Sequence, residues 1–320
     1  MSVDVWVWPA FVAFVVAVLT VDLLVFHRRA DELSLRAAAM LSAFWISLGL
    51  GFGVLVWALQ GPSQANAYYA SYLLEKALSV DNVFVFALVL GYFAIPARLQ
   101  HRVLFLGVIG AIAMRAVFIV GGLAILDTFH WVIYALGVIL IVTGIRMAAR
   151  HSRDIRPERN RALWLLSHVV PITRDDTGTH FLVRRRGVLM ATPLLAALAV
   201  LEVSDLIFAV DSVPAVFAIT RDPFIVLTSN VFAILGLRAL YFLLASSMRD
   251  VRYLQTGLAV VLVCVGGKML ASPLYEVPVG VSLGVIATIL AIAVGASLPG
   301  RHKRSGANTT PTGSMPREPP

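Results

Sequence analysis

Two pairs of carboxylates lie within apolar stretches of the sequence. Glu75 and Asp81 are six residues apart in the segment EKALSVDNVFVF, and Asp205 and Asp211 have the same spacing in DLIFAVDSVPAVF. A charged side chain in hydrocarbon costs about 2.5–3.5 kcal/mol on insertion scales, so such residues seldom lack a function. Four carboxylates in apolar surroundings need a positive partner, and a bound cation is the chemistry that they indicate.

The other residue types in these segments narrow the class of cation. All seven histidines lie outside the apolar stretches or at their edges, and Cys264 is the single cysteine, so a zinc or copper site is not expected. Carboxylate, amide, hydroxyl and carbonyl oxygens instead suit Mn²⁺, Ca²⁺ or Mg²⁺. The predicted metal ligands are Glu75, Asp81, Asn82, Asp205, Asp211 and Ser212. We expect a transported ion there and no permanently bound cofactor.

Two arginines in apolar segments are the expected charge partners of the carboxylates. Arg115 and Arg238 lie near the centres of their segments and reduce the formal charge of the four carboxylates from −4 to −2. This residual charge suits a divalent cation, or protons in its absence. The alternative is that all these charges form buried ion pairs that only fix helix packing. That alternative leaves the negative excess unexplained, and buried pairs are poor stabilisers.

Three further charged residues are expected near the same site. Asp22, one turn from the inner end of the first apolar segment, either pairs with Arg28 or Arg29 or acts as a gate. Glu202, one turn before the second acidic motif, either offsets Lys76 or joins the metal site. Each of these roles would explain a charge that is costly in an apolar segment.

The six-residue spacing limits how one helix can present its two carboxylates. Residues six apart on a regular helix point about 120° away from each other around its axis. Both can therefore face one ion only where the helix unwinds. The expected division is that one carboxylate of each motif binds the ion while the other pairs with an arginine.

The elements that must hold these residues are predicted to be membrane-spanning helices. The 320-residue chain is 59% hydrophobic and 14% charged, with a mean hydropathy of +0.86, whereas soluble domains contain about 25% charged residues. Stretches long enough to cross about 30 Å of hydrocarbon lie near 5–26, 38–59, 68–93, 103–126, 130–148, 188–219, 224–246, 254–272 and 278–298. The expected fold is an all-α polytopic membrane protein with about nine transmembrane helices.

The sixth stretch and the C-terminal segment are expected to differ from a regular transmembrane helix. The sixth stretch has 32 residues, so it should tilt, project from the bilayer or break near Pro214, which removes a backbone hydrogen bond. The transmembrane domain is expected over 1–298, and the Pro- and Gly-rich segment 299–320 is expected to be a disordered cytoplasmic tail.

The distribution of basic residues predicts the orientation in the membrane. With the N-terminus outside, the inner connections and the C-terminal tail hold 21 of the 26 lysines and arginines, and the outer connections hold Arg221. This asymmetry follows the positive-inside rule and predicts an N-out, C-in topology. It also explains the net charge of +8 without nucleic acid. The basic loop over about 149–187 is expected in the cytoplasm, either solvated or along the membrane surface.

Three pairs of segments indicate an internal repeat. The acidic motifs match at an offset of 130 residues, IAMRAVF around Arg115 matches LGLRALY around Arg238 at 123, and 136–147 matches 258–269 at 122. These pairs predict a duplicated three-helix unit over about 68–149 and 198–271. Because three is odd, the second copy should enter the membrane from the opposite face. Such inverted repeats place a substrate site near the midplane in many transporters.

The segments LEKALSVDNVFVF, LEVSDLIFAVDSVPAVFAITRDPFIVLTSNVFAILGLRALYFLL and VGGKML resemble the TerC family of integral membrane proteins. The similarity covers residues from about 20 to 272, with no departure at the charged positions. The resemblance implies manganese export across the bacterial cytoplasmic membrane and a transporter built on inverted repeats. The preference for Mn²⁺ over Ca²⁺ comes from this resemblance alone. The family name refers to tellurium resistance.

The favoured function is therefore a secondary transporter that exports Mn²⁺ in exchange for protons on the same carboxylates. No Walker motif is present, so ATP is not expected to drive it directly. The alternatives are an exchanger of Ca²⁺ or another divalent cation, or a non-transporting membrane partner in metal or tellurium stress. An intramembrane aspartyl hydrolase using Asp81 and Asp211 is a further alternative. Nothing marks a substrate cleft, so no enzyme is expected. The expected partners are the ion and the bilayer, and nothing indicates an oligomer.

Overall fold

The computed structural model describes residues 5–27, 35–129, 131–149, 180–185, 188–245, 253–272 and 277–297. Its helices are α1 Val7–His27, α2 Leu35–Gln60, α3 Pro62–Tyr92, α4 Ala97–Thr128, α5 Val132–Ala149, α6 Pro193–Phe217, α7 Pro223–Leu235, α8 Leu237–Ala245, α9 Leu254–Ala271 and α10 Val279–Ser297. The strands β1 Leu182–Arg185 and β2 Val188–Ala191 form an antiparallel pair. The predicted helical fold of a membrane protein is confirmed, and this short hairpin is an addition to it.

Six helical segments in the described ranges are long and apolar enough to cross a membrane. They are α2, α4, α5, α6, α10 and the pair α7 and α8 taken together. Helices α1 and α9 have shorter apolar stretches, and α3 is long but contains Glu75, Lys76 and Asp81. All nine predicted segments contain a helix. The number of spans, their orientation and the tail over 299–320, which is outside the described residues, stay predictions.

The prediction that the sixth span begins at residue 188 is wrong, because the helix begins at Pro193. Residues 188–191 form β2, and Thr192 ties the hairpin to α6 because its backbone N–H and its hydroxyl both donate to Phe181 O. The helix then runs for 25 residues without a break at Pro214. Since Pro214 lies in the last turn, its missing N–H disturbs only the end of the helix.

The break occurs instead in the seventh segment, between α7 and α8 at Gly236. A Cβ atom on Gly236 would lie 2.8 Å from Lys76 Nζ and 2.9 Å from Trp45 Cβ. Lys76 donates to Ala233 O at 3.2 Å, so its ammonium lies beside the carbonyl end of α7. A cation at this end of a helix is favoured by the helix dipole.

Helix α3 lies at the centre of the helical assembly and packs against α2, α6, α7, α8 and α10. In the most apolar 18 residues of the span formed by α7 and α8, 94% of the residues are buried, against 22% in the same length of α5. Aromatic contacts attach α1 to this core, since the Phe11 ring lies 6.0 Å from Phe224 and 6.2 Å from Phe232. Charged residues on α3 and α8 are therefore surrounded by other helices.

Helices α5 and α9 form a close crossing on small residues. A Cβ on Gly137 would lie 3.1 Å from Gly266 O, and a Cβ on Gly266 would lie 2.7 Å from Gly137 O. Further along α5, a Cβ on Gly144 would lie 2.7 Å from Ala259 O. The contacting residue numbers increase along α5, from 137 to 144, while they decrease along α9, from 266 to 259. The two helices are therefore antiparallel. Their backbones touch where glycine leaves room.

Candidate metal site

Arg115 of α4 is the centre of a buried hydrogen-bond network that joins four helices. Its Nε and Nη2 atoms donate to the two carboxylate oxygens of Asp205 on α6, at 3.1 and 3.0 Å. Its Nη1 atom donates to Glu75 of α3 at 2.6 Å, to Asn230 Oδ1 of α7 at 3.1 Å and to Ser212 Oγ of α6 at 3.3 Å. The Asn230 amide donates to the other Glu75 oxygen at 2.8 Å. Every guanidinium nitrogen therefore has an acceptor.

The charged members of this network are almost fully buried. The exposed fractions are 2% for Arg115, 1% for Glu75 and 2% for Asp205. Buried charges persist when they are paired and hydrogen-bonded, and a planar guanidinium can bond one carboxylate with two parallel N–H groups. Two carboxylates against one guanidinium leave one formal negative charge in excess. The network thus favours a further positive charge nearby.

A small cavity lies beside the network. Its polar lining residues are Asn82, Arg115, Thr143, Asp211 and Ser212, and its other lining residues are Leu78, Met147, Phe208 and Leu262. About 10 Å³ is open to the centre of a water-sized sphere, which is room for about one water molecule. Thr143 Oγ1 of α5 donates to Asp211 Oδ1 at 3.0 Å. The cavity therefore combines the size of one small ion with carboxylate, amide and hydroxyl groups.

The structure divides the predicted metal ligands between these two places. Glu75 and Asp205 are bonded to Arg115, whereas Asp211 and Asn82 line the cavity. Ser212 belongs to both, since it accepts from Arg115 and lines the cavity. Among the described residues, no three of His, Cys, Asp or Glu are grouped closely enough to hold a metal ion. The metal site stays a prediction.

Asp81 occupies the position on α3 before Asn82, but its side chain is outside the part of the structure that is described. Asn82 itself is 2% exposed. Asp81 therefore belongs to the part of α3 that borders the cavity, between Leu78 and Asn82.

Arg238 of α8 forms an ion pair with Asp22 of α1. The same guanidinium also donates to the Asp22 backbone carbonyl at 3.3 Å and lies 5.4 Å from the Phe105 ring centroid. Arg28 and Arg29, the partners considered for Asp22, are outside the described residues. The charge balance drawn from sequence did not include Asp22, which takes up part of the Arg238 charge.

Lys76 and Glu202 do not form the expected pair. Lys76 donates to Ala233 O, while the Glu202 carboxylate lies against Gly110 of α4. The expectation that Glu202 offsets Lys76 is therefore wrong, because the two side chains point to different neighbouring helices. Glu202 is also not among the residues that line the cavity.

Sequence reasoning missed the role of Thr143, and it expected hydrogen bonds between helices from Asn230 without assigning its partners. Thr143 holds Asp211 across the α5–α6 contact, and Asn230 joins Glu75 to Arg115. A signal was present in both cases, since each is a polar residue in an apolar helix. Ser79 and Ser204 give the same signal, yet each donates to a carbonyl of its own helix. Polarity alone therefore does not identify the members of the site.

Comparison with known proteins identifies relatives over most of the chain. The family model described as "Integral membrane protein TerC family" matches residues 60–305, which confirms the resemblance found in the sequence. The chain is 46% identical over 291 residues to STKORF319, an uncharacterized membrane protein of Myxococcus xanthus, and the match covers 91% of each protein.

Two further bacterial relatives match the chain over a similar length. The chain is 45% identical over 294 residues to Alx of Escherichia coli strain K12, covering 88% of this chain and 91% of Alx. The name of Alx proposes a membrane-bound redox modulator. An uncharacterized membrane protein of Rickettsia bellii is 37% identical over 291 residues, covering 91% of this chain and 96% of that protein. No solved structure matches the chain.

Proposed function

The chain belongs to the TerC family of integral membrane proteins, and from this premise we propose that it is a secondary transporter that exports divalent metal cations. The favoured ion is Mn²⁺, and protons are the exchanged ion. The observation that carries the proposal is the ion-sized cavity lined by Asp211, Asn82 and Ser212. It lies within the helical core, beside a network with an excess negative charge.

The two acidic motifs divide their work in this proposal. Arg115 holds the first carboxylate of each motif, Glu75 and Asp205. The second carboxylates, Asp81 and Asp211, are then the ones that bind the ion. Asp211 supplies a carboxylate at the cavity wall, with amide and hydroxyl oxygens beside it. These are the ligand types that Mn²⁺ accepts, and protons would replace the ion on the same carboxylates.

The packing of α5 against α9 supports an inverted repeat. At the sequence offset of 122, Gly137 corresponds to Ala259 and Gly144 corresponds to Gly266. Gly137 contacts Gly266, and Gly144 contacts Ala259. Corresponding residues thus exchange partners, as a two-fold axis requires. The antiparallel crossing agrees with an axis in the membrane plane, which is how inverted repeats of transporters are related.

The location that we propose is the bacterial cytoplasmic membrane, with the N-terminus outside. The relatives named above are bacterial membrane proteins. The excess of arginine in alternate connections supports the orientation.

Redox modulation is the second candidate function, because it is the role in the name of Alx. A dithiol–disulfide couple needs two cysteines, whereas this chain has one, Cys264, which is exposed on α9. We therefore favour transport over direct thiol chemistry, and over any enzymatic activity.

The proposal is tested by ion flux in proteoliposomes. Purified protein is reconstituted, an inside-acid pH gradient is imposed, and Mn²⁺ uptake is followed beside protein-free vesicles. We expect uptake that depends on the protein and collapses when a protonophore removes the pH gradient. Equal flux in protein-free vesicles, under any gradient, would contradict transport. Flux that ignores the pH gradient would contradict proton exchange while leaving transport intact, and competition by Ca²⁺ and Mg²⁺ measures selectivity.

A further inference from the structure

Met147 of α5 is among the residues that line the cavity beside Arg115. We propose that Met147 is a specificity-determining residue, whose thioether makes the site prefer Mn²⁺ and softer transition metals to Ca²⁺ and Mg²⁺. This inference rests on the proposed function and deepens it, since it assigns the choice of ion to one side chain.

The position of Met147 follows from α5, whose Thr143 also contacts Asp211 of α6. Thr143 and Met147 are four residues apart on α5 and therefore occupy the same face of the helix. Thr143 bonds the Asp211 carboxylate, so α5 brings Met147 to the same wall of the cavity one turn further on. Met147 is only 7% exposed. Its three side-chain torsions let the sulfur adapt to an ion in the cavity.

The chemistry of the remaining lining does not distinguish the candidate ions. Asn82, Thr143, Asp211 and Ser212 offer amide, hydroxyl and carboxylate groups, which are hard ligands that suit Mg²⁺, Ca²⁺ and Mn²⁺ alike. A thioether is a soft ligand that adds little to the binding of Mg²⁺ or Ca²⁺. Because it occupies wall space that an oxygen ligand could fill, it lowers the affinity for hard ions most.

The size of the cavity increases this discrimination. It has room for about one water molecule, so an ion there must lose most of its hydration shell and bind to the wall. Mg²⁺ loses water reluctantly, and Ca²⁺ prefers six to eight oxygen ligands. For either ion, sulfur is a poor replacement for the oxygen ligands that are lost with the hydration shell. For a transition metal, a bond to sulfur compensates part of the free energy that dehydration costs.

A purely apolar role for Met147 makes different predictions, and the chain offers a matched control. Met269 of α9 corresponds to Met147 at the offset of 122 residues. Both methionines belong to the same apolar core, in which Met269 is 1% exposed, but Met269 does not line the cavity. Replacement of methionine by leucine nearly conserves volume and removes the sulfur. If both methionines only fill space, the two leucine variants should behave alike.

The test measures transport of radiolabelled Mn²⁺ and Ca²⁺ by the same proteoliposomes, with Cd²⁺ as a soft competitor. In Met147→Leu we expect the Mn²⁺/Ca²⁺ transport ratio to fall on the order of tenfold, a usual size for the loss of a tuning contact at a metal site. Inhibition by Cd²⁺ should weaken by a larger factor. Met269→Leu should keep the wild-type ratio.

A second variant, Met147→Gln, replaces the thioether by an amide whose oxygen lies one bond beyond the position of the sulfur, and it should raise Ca²⁺ transport relative to Mn²⁺. Wild-type ratios and wild-type Cd²⁺ inhibition in both Met147 variants would overturn the assignment while leaving the proposed function standing. A wild-type protein that transports neither ion would instead overturn the proposed function, and the assignment with it.

Discussion

At the scale of single residues, Arg115 organises the site. It takes one carboxylate from each acidic motif and aligns them with Ser212 and Asn230. Lysine could not replace it, because an ammonium lacks the planar fork that bonds both Asp205 oxygens. The cavity with Asp211 lies next to this network, so the arginine also fixes the helices that form the cavity wall.

Removal of the Arg115 charge should destabilise the protein strongly. Arg115→Gln leaves Glu75 and Asp205 buried without a cation, and breaking a buried pair in this way costs about 3–5 kcal/mol. The measurement is thermal unfolding of the detergent-solubilised protein. The matched control is Arg146→Gln, since Arg146 is exposed in the last turn of α5.

Neutralisation of the two carboxylates should recover part of this loss. The triple variant Glu75→Gln, Arg115→Gln, Asp205→Asn contains no uncompensated charge in the network, so we expect its midpoint to lie above that of Arg115→Gln. A midpoint for Arg115→Gln equal to that of Arg146→Gln would show that the network does not stabilise the fold.

The acidic residues and arginines of the site could be predicted from sequence, because a charge in an apolar run is unusual. Their partners could not. Glu75 meets Asn230 across 155 positions of the chain, and Asp211 meets Thr143 across 68. Such contacts depend on which helices become neighbours. The sequence also could not show that Asp22 would reach Arg238 on α8.

At the scale of helices, glycine positions decide where two backbones can meet. Gly266 faces Gly137 on α5, whereas nothing lies within 4 Å of a Cβ placed on its neighbour Gly267. Substitution of Gly266 therefore tests the helix crossing, whereas substitution of Gly267 tests only the effect of a glycine on helix stability. This crossing joins the two proposed repeats.

Alanine at these two glycines should have opposite effects. Gly266→Ala forces α9 away from α5 and should destabilise the protein by about 1–3 kcal/mol, as overpacking does. Gly267→Ala should be neutral or stabilise by up to about 1 kcal/mol, because alanine is the better helix former. Thermal midpoints of both variants in detergent test the pair. Equal midpoints would contradict the close α5–α9 crossing.

Helices were the most predictable elements, since an apolar run of spanning length has few other structures available to it. The two errors have local causes. Residues 188–191 are apolar and resemble the start of a span, but they pair with 182–185 as a strand. A break near Pro214 was one of the expected alternatives, yet the discontinuity lies at Gly236, where Lys76 and Trp45 leave no room for a Cβ.

At the scale of the whole molecule, the orientation in the membrane can be tested directly. In a Cys264→Ser background, Ser63→Cys reports on the connection between α2 and α3, and Ala97→Cys on the one between α3 and α4. Both positions are exposed. In intact cells an impermeant maleimide should label Ser63→Cys, and it should label Ala97→Cys only after permeabilisation. The reverse pattern would contradict the N-out topology.

The arrangement of the molecule as two inverted units was predictable only as a hypothesis. Matching charged residues gave the offsets, and the reciprocal contacts of Gly137 with Gly266 and of Gly144 with Ala259 support it. The symmetry is incomplete at the charges. Arg115 joins both acidic motifs, whereas its counterpart Arg238 pairs with Asp22 of α1, outside either unit.

Transport as we propose it requires that a divalent ion crosses the protein by binding the carboxylates at the cavity. The most direct measurement compares Mn²⁺ flux in proteoliposomes for the wild type, Asp81→Asn, Asp211→Asn and Asp222→Asn. Asp222 caps α7 through its carboxylate, lies outside the cavity, and can be replaced as a cap by asparagine. We predict wild-type flux for Asp222→Asn, and a loss on the order of 10–100-fold for each of the other two variants. Undiminished flux in both Asp81→Asn and Asp211→Asn would show that the ion does not cross by binding these carboxylates.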